Sequence, residues 1–306
     1  MEPVKTILVG LDLTDIDETL IDHVIMMSQK TELQKVYFIN IQKSLELPEE
    51  VKKKHPGLLA PKDEQIKKII IDNINSSPVG RLKADYEIKI LEGPTTEVLL
   101  KWTNIKEVDL LVLGKKLSFE SSGIAPGKIA MSVPCSVFFI PEVMPVDPNA
   151  FLVPVDFSDS SKNALEQAIR VSQVYVGSEI KCVHFYEVPS GYHTSGKSFE
   201  EFAGIMKANA EKEFAKFIES MDVKKQSIHC EFILNKSESV ASQIFKYALR
   251  EGVSGIIIGS KGRTMAASLV LGSVAEKLRD INTHLPLYIA KEKNKNMGLF
   301  EALFNS

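Results

Sequence analysis

The sequence predicts an α/β protein built from two doubly wound domains in tandem, each a five-stranded parallel sheet ordered 3-2-1-4-5. Three observations carry this. Short β-branched apolar runs alternate with helical patterns along the chain, the signature of a parallel sheet covered on both faces. The series occurs twice. Thr6-Ile7-Leu8-Val9-Gly10-Leu11-Asp12-Leu13-Thr14-Asp15 is answered by Ala150-Phe151-Leu152-Val153-Pro154-Val155-Asp156-Phe157-Ser158-Asp159, an offset of 156 − 12 = 144. Val108-Asp109-Leu110-Leu111-Val112-Leu113-Gly114 is answered by Val253-Ser254-Gly255-Ile256-Ile257-Ile258-Gly259 at 259 − 114 = 145. Two distant matches at nearly one offset mean a duplicated domain, because solenoid and propeller periods are far shorter. Five strands joined by right-handed crossovers then favour the doubly wound order.

In the first half, strands are expected near 4–11, 34–41, 84–91, 108–113 and 136–140. The stretch Pro141-Glu142-Val143-Met144-Pro145-Val146-Asp147-Pro148 holds three prolines in eight residues and reads as the linker. Domains are therefore expected at 1–144 and 148–292, followed by a tail at 293–306. In the second half, strands are expected at about 150–155, 180–187, 228–234, 254–259 and 286–290, and helices at about 159–175, 198–220, 238–251 and 272–282. Asp159 and Ser161 are the expected N-caps of the first helix, and Ala164, Leu165, Ala168, Ile169 and Val171 its apolar face.

Two copies near 145 residues fill the 306-residue chain at the commonest domain size. A composition 44% hydrophobic and 25% charged supplies two cores. A net charge of −3 leaves no electrostatic footprint for nucleic acid, so no such partner is expected. The three cysteines, Cys135, Cys182 and Cys230, form no C-x-x-C pair. Cys135 and Cys182 sit in apolar runs and read as small buried hydrophobes. Charges at Glu2 and Lys5 leave no room for a signal h-region, and no apolar stretch is long enough to span a bilayer. A cytoplasmic location with no membrane partner is expected.

The motif that carries chemistry lies after the fourth strand of the second copy. Gly259, Gly262, Gly272 and Ser273 spell G-x2-G-x9-G-S between a strand ending in Ile258 and a helix opening at Val274. Glycines let the backbone approach a bulky anion closely, and the N–H groups of a helix N-terminus complete the cradle. In the predicted topology the strand order reverses between strands 1 and 4, and ligands of such sheets bind beyond the carboxyl ends at that switch point. Asp156 ends strand 1 there. A carboxylate beside a phosphate cradle repels phosphate, so it is expected to serve the other end of a nucleotide by accepting from an exocyclic amine. Alone, Asp156 would read as a helix N-cap.

These residues resemble the universal stress protein family: Val155-Asp156-Phe157-Ser158 at strand 1, Val183-His184-Phe185 at strand 2, and the glycine motif after strand 4. The duplication is that of its tandem-domain members, and the resemblance covers both repeats. It implies a Rossmann-like fold of the adenine nucleotide alpha hydrolase type, ATP binding, and a regulatory, stress-response role. By position, Asp156 would contact adenine, with Pro154, Val155 and Phe185 walling the base; Ile258, Gly259, Gly262, Gly272, Ser273 and Val274 would hold ribose and phosphates, and Lys261 and Arg263 in the same loop are either contacts to a terminal phosphate or solvated loop charges. The cofactor implied is ATP, with or without Mg²⁺.

The first half departs from this pattern. Leu117 stands where the second glycine belongs, and Lys128 replaces the serine after Gly127. From the last glycine to the strand 5 proline the spacing is 134 − 127 = 7 against 286 − 272 = 14, which predicts a helix short by about two turns. The first domain is expected to bind no ATP.

A rival motif, Gly191-Tyr192-His193-Thr194-Ser195-Gly196-Lys197-Ser198, matches the P-loop pattern G-x4-G-K-S. Val188-Pro189-Ser190 separates it from its strand, and no later strand ends in an acidic residue to hold magnesium. It reads as a surface loop or lid. No histidine pair has metal spacing, and Ser158 and Ser273 lack a relay, so no catalytic residue is assigned and at most slow ATP hydrolysis is expected. The tail places Leu299, Phe300, Leu303 and Phe304 on one helical face and is expected to pack on the protein or a neighbouring copy. The two halves are expected to pair as a pseudo-dimer within the chain, with a homodimer as a further possibility. The alternative to a nucleotide-sensing protein is an interaction scaffold, or a binder of another small ligand; a weak ATPase is a third reading.

Overall fold

The computed structural model describes residues 3–45, 49–54, 62–116, 126–144, 148–221, 228–262 and 271–293. The chain divides into two compact units, the first ending at Met144 and the second running to Glu292.

The first unit contains β1 (Thr6–Leu11), α1 (Ile16–Lys30), β2 (Lys35–Gln42), α2 (Glu49–Lys54), α3 (Lys62–Ser76), β3 (Asp85–Glu92), α4 (Thr95–Ile105), β4 (Leu110–Lys115), α5 (Pro126–Ser132) and β5 (Ser136–Pro141). Its strands run in the order β3-β2-β1-β4-β5, every pair parallel. Ile7, Leu8 and Val9 of β1 and Leu110 to Leu113 of β4 are wholly buried, as central strands covered on both faces must be. Helix α1 presents Leu20, Ile21, Val24 and Ile25 to this sheet, all without solvent exposure. Their spacing is that of one helical face, and each contributes about 1.5–3 kcal/mol by leaving water.

The second unit repeats the plan with β6 (Ala150–Pro154), α6 (Asp159–Val174), β7 (Glu179–Tyr186), a 3₁₀ turn (Ser190–Ser195), α7 (Phe199–Glu219), β8 (His229–Leu234), α8 (Val240–Arg250), β9 (Gly255–Gly259), α9 (Ser273–Ile281) and β10 (Leu287–Ala290). Its order is β8-β7-β6-β9-β10, again parallel throughout. Both units therefore have the expected doubly wound 3-2-1-4-5 sheet.

Helix α6 starts differently from the expectation. Its N-cap is Ser158, extended at φ −78° and ψ 163°, whose side chain accepts from the Ser161 N–H at 3.2 Å. Asp159 and Ser161 lie inside the first turn instead. Ala164, Leu165 and Ala168 are fully buried as expected, whereas Ile169 and Val171 are only half-buried. The three cysteines are buried and unbridged. Burial pushes the Cys182 thiol up to about 12 and the Cys230 thiol higher still, which leaves both as inert apolar groups.

Candidate functional site

The carboxyl end of β6 is tied to β7 by two hydrogen bonds. The Val155 N–H donates to the Val183 carbonyl at 2.9 Å, and His184 Nδ1 lies 2.8 Å from the Val155 carbonyl. The first unit makes the second tie with a different side chain: Asn40 Nδ2 donates to the Leu11 carbonyl at 3.0 Å. Beyond this tether the chain turns through a left-handed residue, Phe157 at φ +65°, and its counterpart Leu13 has φ +63°. Such a conformation is uncommon for a bulky side chain. The Phe157 ring is held by stacking on His184, with centroids 4.3 Å apart and planes at 24°. The turn presents Asp156, whose Oδ1 accepts from the Ser158 N–H at 3.1 Å and hydroxyl at 2.6 Å. Asp156 is thus the acceptor of a tight turn, and Ser158, not Asp156, caps the helix.

The glycine motif closes the other side. A Cβ on Gly259 would stand 2.6 Å from the backbone carbonyl of Ser160, so β9 reaches helix α6 only as glycine. Gly114 and Ile16 repeat this approach in the first unit, where a Cβ would meet the isoleucine side chain at 2.9 Å. After Gly259, the Ser260 N–H donates to the Ala290 carbonyl at 3.0 Å and the Lys261 N–H to Ser160 Oγ at 3.0 Å. Gly272 returns to this loop through its N–H, 2.7 Å from the Ser260 carbonyl, and a Cβ there would lie 3.3 Å from the same oxygen. A Cβ on Gly262 would stand 3.2 Å from Asp156 Oδ2. Two residues 262 − 156 = 106 positions apart are therefore neighbours across the switch point.

Among the expected site residues, Pro154, Val155, Ile258, Gly259 and Gly272 are buried, and Asp156, Phe185, Lys261, Gly262 and Val274 are half-buried. Ser273 is exposed at the first position of α9. The first N–H groups of a helix lack intrahelical partners and carry the positive end of its dipole. Arg263 lies outside the described residues, as does Leu117. The site combines one carboxylate, one lysine, a half-buried phenylalanine and a helix N-terminus beside side-chain-free backbone. That set can accept from a donor at one end and receive an anion at the other. Sequence reasoning missed Ser160, the His184 tether and the Phe157 turn, whose counterparts in the first copy, Ile16, Asn40 and Leu13, are different residue types. Among the described residues no three His, Cys, Asp or Glu side chains could hold a metal ion.

The helix after the first unit's glycine corrects the expectation of two missing turns. Helix α5 starts at Pro126 and so contains Gly127, with five residues following it to Ser132, against nine in α9 after Gly272. About one turn is missing there. The connection to strand 5 is shorter as well, which a spacing count alone does not separate from helix.

The G-x4-G-K-S stretch is no phosphate-wrapping loop. Ser190–Ser195 form a 3₁₀ turn whose N–H groups are used locally, Tyr192 N to the Pro189 carbonyl at 3.0 Å and Gly196 N to the His193 carbonyl at 3.4 Å. Ser198 caps α7 in a capping box with Glu201. Tyr192 packs edge-on to Phe199 at 5.6 Å, and His193 to Ser198, Lys197 included, are all exposed.

Known proteins place this arrangement. The model of the universal stress protein family matches residues 149–280. The universal stress protein MJ0531 of Methanocaldococcus jannaschii is 29% identical over 150 residues, which cover 47% of this chain and 82% of that protein. Two solved structures share the fold over nearly the whole chain. A functionally unknown protein, PA1789 of Pseudomonas aeruginosa PAO1, has a TM-score of 0.66 at 12% identity, covering 99% of this chain and 98% of that one. A universal stress protein of Archaeoglobus fulgidus DSM 4304 has a TM-score of 0.55 at 15% identity, covering 94% and 96%.

Proposed function

This chain belongs to the universal stress protein family, as a member carrying the fold twice, and we propose that its second unit binds ATP and signals occupancy to a stress-response partner. The observation that carries the reading is the closeness of the Asp156 carboxylate to Gly262, where an added Cβ would stand 3.2 Å from Oδ2. Oδ1 of that carboxylate accepts from Ser158, and Oδ2 faces Gly262 across the switch point.

The residues fit a nucleotide on geometry. Gly259 and Gly272 let β9, the residues after it and the start of α9 pack closely on α6 and on one another, Gly262 keeps a side chain away from Asp156, and Ser273 and Val274 open α9 beside them. In this reading Pro154, Val155 and Phe185 bound the adenine, Ile258 underlies the ribose, and Lys261 and Arg263 attend the phosphates. Mg²⁺, when bound with ATP, would neutralise phosphate charge; the residues named here bind and orient. In this reading occupancy rather than turnover is the output, in the cytoplasm. No helix among the described residues is long and apolar enough to cross a membrane.

Mass spectrometry of the purified protein after denaturation tests this, with a binding titration beside it. Co-purified ATP or AMP, or saturable ATP binding, is the expected result. An extract free of adenine nucleotide together with no saturable binding overturns it.

A further inference from the structure

The second unit holds a cavity that the nucleotide reading does not use. It lies at the opposite end of the sheet from Asp156, where the amino ends of β7 and β8 meet the C-terminal end of α8, and measures about 580 Å³. That volume suits a small molecule. Ile180, Cys182 and Ile228 give the cavity an apolar side. Its walls also carry three glutamates, Glu179, Glu231 and Glu251, and one lysine, Lys181, which leaves two negative charges in excess. Two of the carboxylates are set in place. Tyr247 Oη donates to Glu231 at 2.7 Å, Lys181 Nζ lies 3.3 Å from Glu251, and Arg250 reaches Glu231 at 3.6 Å and Glu251 at 3.0 Å. With Arg250 counted, one negative charge is still unmatched. Among the described residues Glu179 makes no side-chain hydrogen bond or ion pair, and neither does His229, also on the wall. Ser178 lines the same cavity, and its Oγ is buried with no hydrogen-bond partner, the one such hydroxyl among the described residues. A buried polar atom in that state is costly and marks a place where a partner is due.

The first unit fills the same place with aromatic rings. Tyr37 stands for Lys181 (181 − 37 = 144) and Trp102 for Tyr247 (247 − 102 = 145), and the two rings pack edge-on at 6.0 Å. Each glutamate is a lysine there. Lys35 stands for Glu179, Lys106 for Glu251, and Lys89 for Glu231, since Lys89 lies opposite Ile39 in the sheet as Glu231 lies opposite Val183. Lys106 Nζ sits 5.5 Å from the centre of the Tyr37 ring and 5.6 Å from that of Trp102, so an ammonium of the chain itself is seated among these rings. The second unit keeps the space, removes that ammonium and puts carboxylates around it.

We propose that this cavity binds a small aliphatic amine, with its ammonium on the glutamates and its methylenes on Ile180, Cys182 and Ile228. The C-terminal end of α8 brings the negative end of its dipole to the same point. The proposal uses none of the residues assigned to the nucleotide and does not rest on that reading.

Putrescine and spermidine are the probes, titrated calorimetrically into the full-length protein. ATP is left out, because its phosphates would compete for the amine, and salt is held at about 0.15 M to screen loose counterions. Adipate, of similar length and opposite charge, is the control ligand. The expected result is saturable binding of the amines at one site per chain and none of adipate. Glu251→Lys, which imports the first unit's residue, should weaken amine binding by more than about tenfold, and Glu179→Gln, on the exposed rim, by about threefold. Glu213→Gln, an exposed glutamate of α7, should leave it unchanged. Circular dichroism confirms that each variant is folded, and Glu179→Gln decides the matter if Glu251→Lys is not. No saturable amine binding overturns the proposal, as does tighter binding of adipate than of putrescine. Affinity that is unchanged in Glu179→Gln, or weakened as much in Glu213→Gln, overturns it too.

Discussion

Gly259 approaches Ser160 so closely that a Cβ on the glycine would lie 2.6 Å from the serine carbonyl. The same serine accepts the Lys261 N–H through its hydroxyl. One residue on α6 thereby fixes both the end of β9 and the start of the glycine loop. The site inherits its shape from helix-to-strand packing, not from the loop alone.

Replacing Gly259 by alanine should therefore cost stability before it costs binding. The methyl group meets backbone, which cannot rotate away, and overpacking of this kind costs about 1–3 kcal/mol. Chemical denaturation of Gly259→Ala against wild type measures it; an unchanged midpoint would mean that α6 shifts freely.

At Gly262 the expected effect is the reverse. The 3.2 Å approach is to the side-chain oxygen of Asp156, so a larger residue disturbs the site more than the fold. Gly262→Val should abolish ATP binding while leaving the circular dichroism spectrum intact. Lys197→Ala, in the stretch that resembles a P-loop, should keep ATP affinity within about fivefold, the scale of a peripheral charge. Loss of binding in Lys197→Ala with retention in Gly262→Val would reassign the site.

His184 offers a test in which the protein supplies its own control. Asn40 makes the equivalent hydrogen bond in the first unit, so His184→Asn should preserve the tether to Val155 and His184→Ala should lose it. The alanine variant is expected to be less stable by about 1 kcal/mol from the hydrogen bond, with a further loss from the Phe157 stack. Equal stability and equal ATP affinity in both variants would show that the turn holds without the tether.

What the sequence carries plainly is what repeats. The strand order follows from alternation and handedness, and the switch point brings Asp156 to Gly262 without any further information. What it hides are choices among chemically equivalent groups. Asp156, Ser158, Asp159 and Ser161 all offer a capping oxygen, and only the left-handed turn at Phe157 selects Ser158. The tether between strands 1 and 2 escapes notice because it is a histidine in one copy and an asparagine in the other. The helix at Gly127 is misjudged because a residue count between two landmarks does not divide helix from loop.

The buried Asp17 gives the fold a pH dependence. Burial pushes its carboxyl up to about 6 from an ordinary 3.8, with the Asp12 and Leu13 N–H groups pulling it partly back. The folded state binds this proton more tightly than the unfolded chain does. Its contribution is therefore fully present at low pH and is lost as pH rises through about 6, a swing of roughly 3 kcal/mol. Relative to Asp17→Asn, wild type should lose stability steadily between pH 4 and pH 7. Parallel denaturation curves for the two proteins across that range would contradict it.

The central claim is a single nucleotide site, in the second unit. Isothermal titration calorimetry of the full chain with ATP and Mg²⁺ tests it most directly. The account predicts one site per chain, a marked loss of affinity in Asp156→Ala together with a smaller preference for ATP over GTP, and no change in Asp12→Ala. Two equivalent sites, none, or a site that responds to Asp12 instead of Asp156 would contradict it.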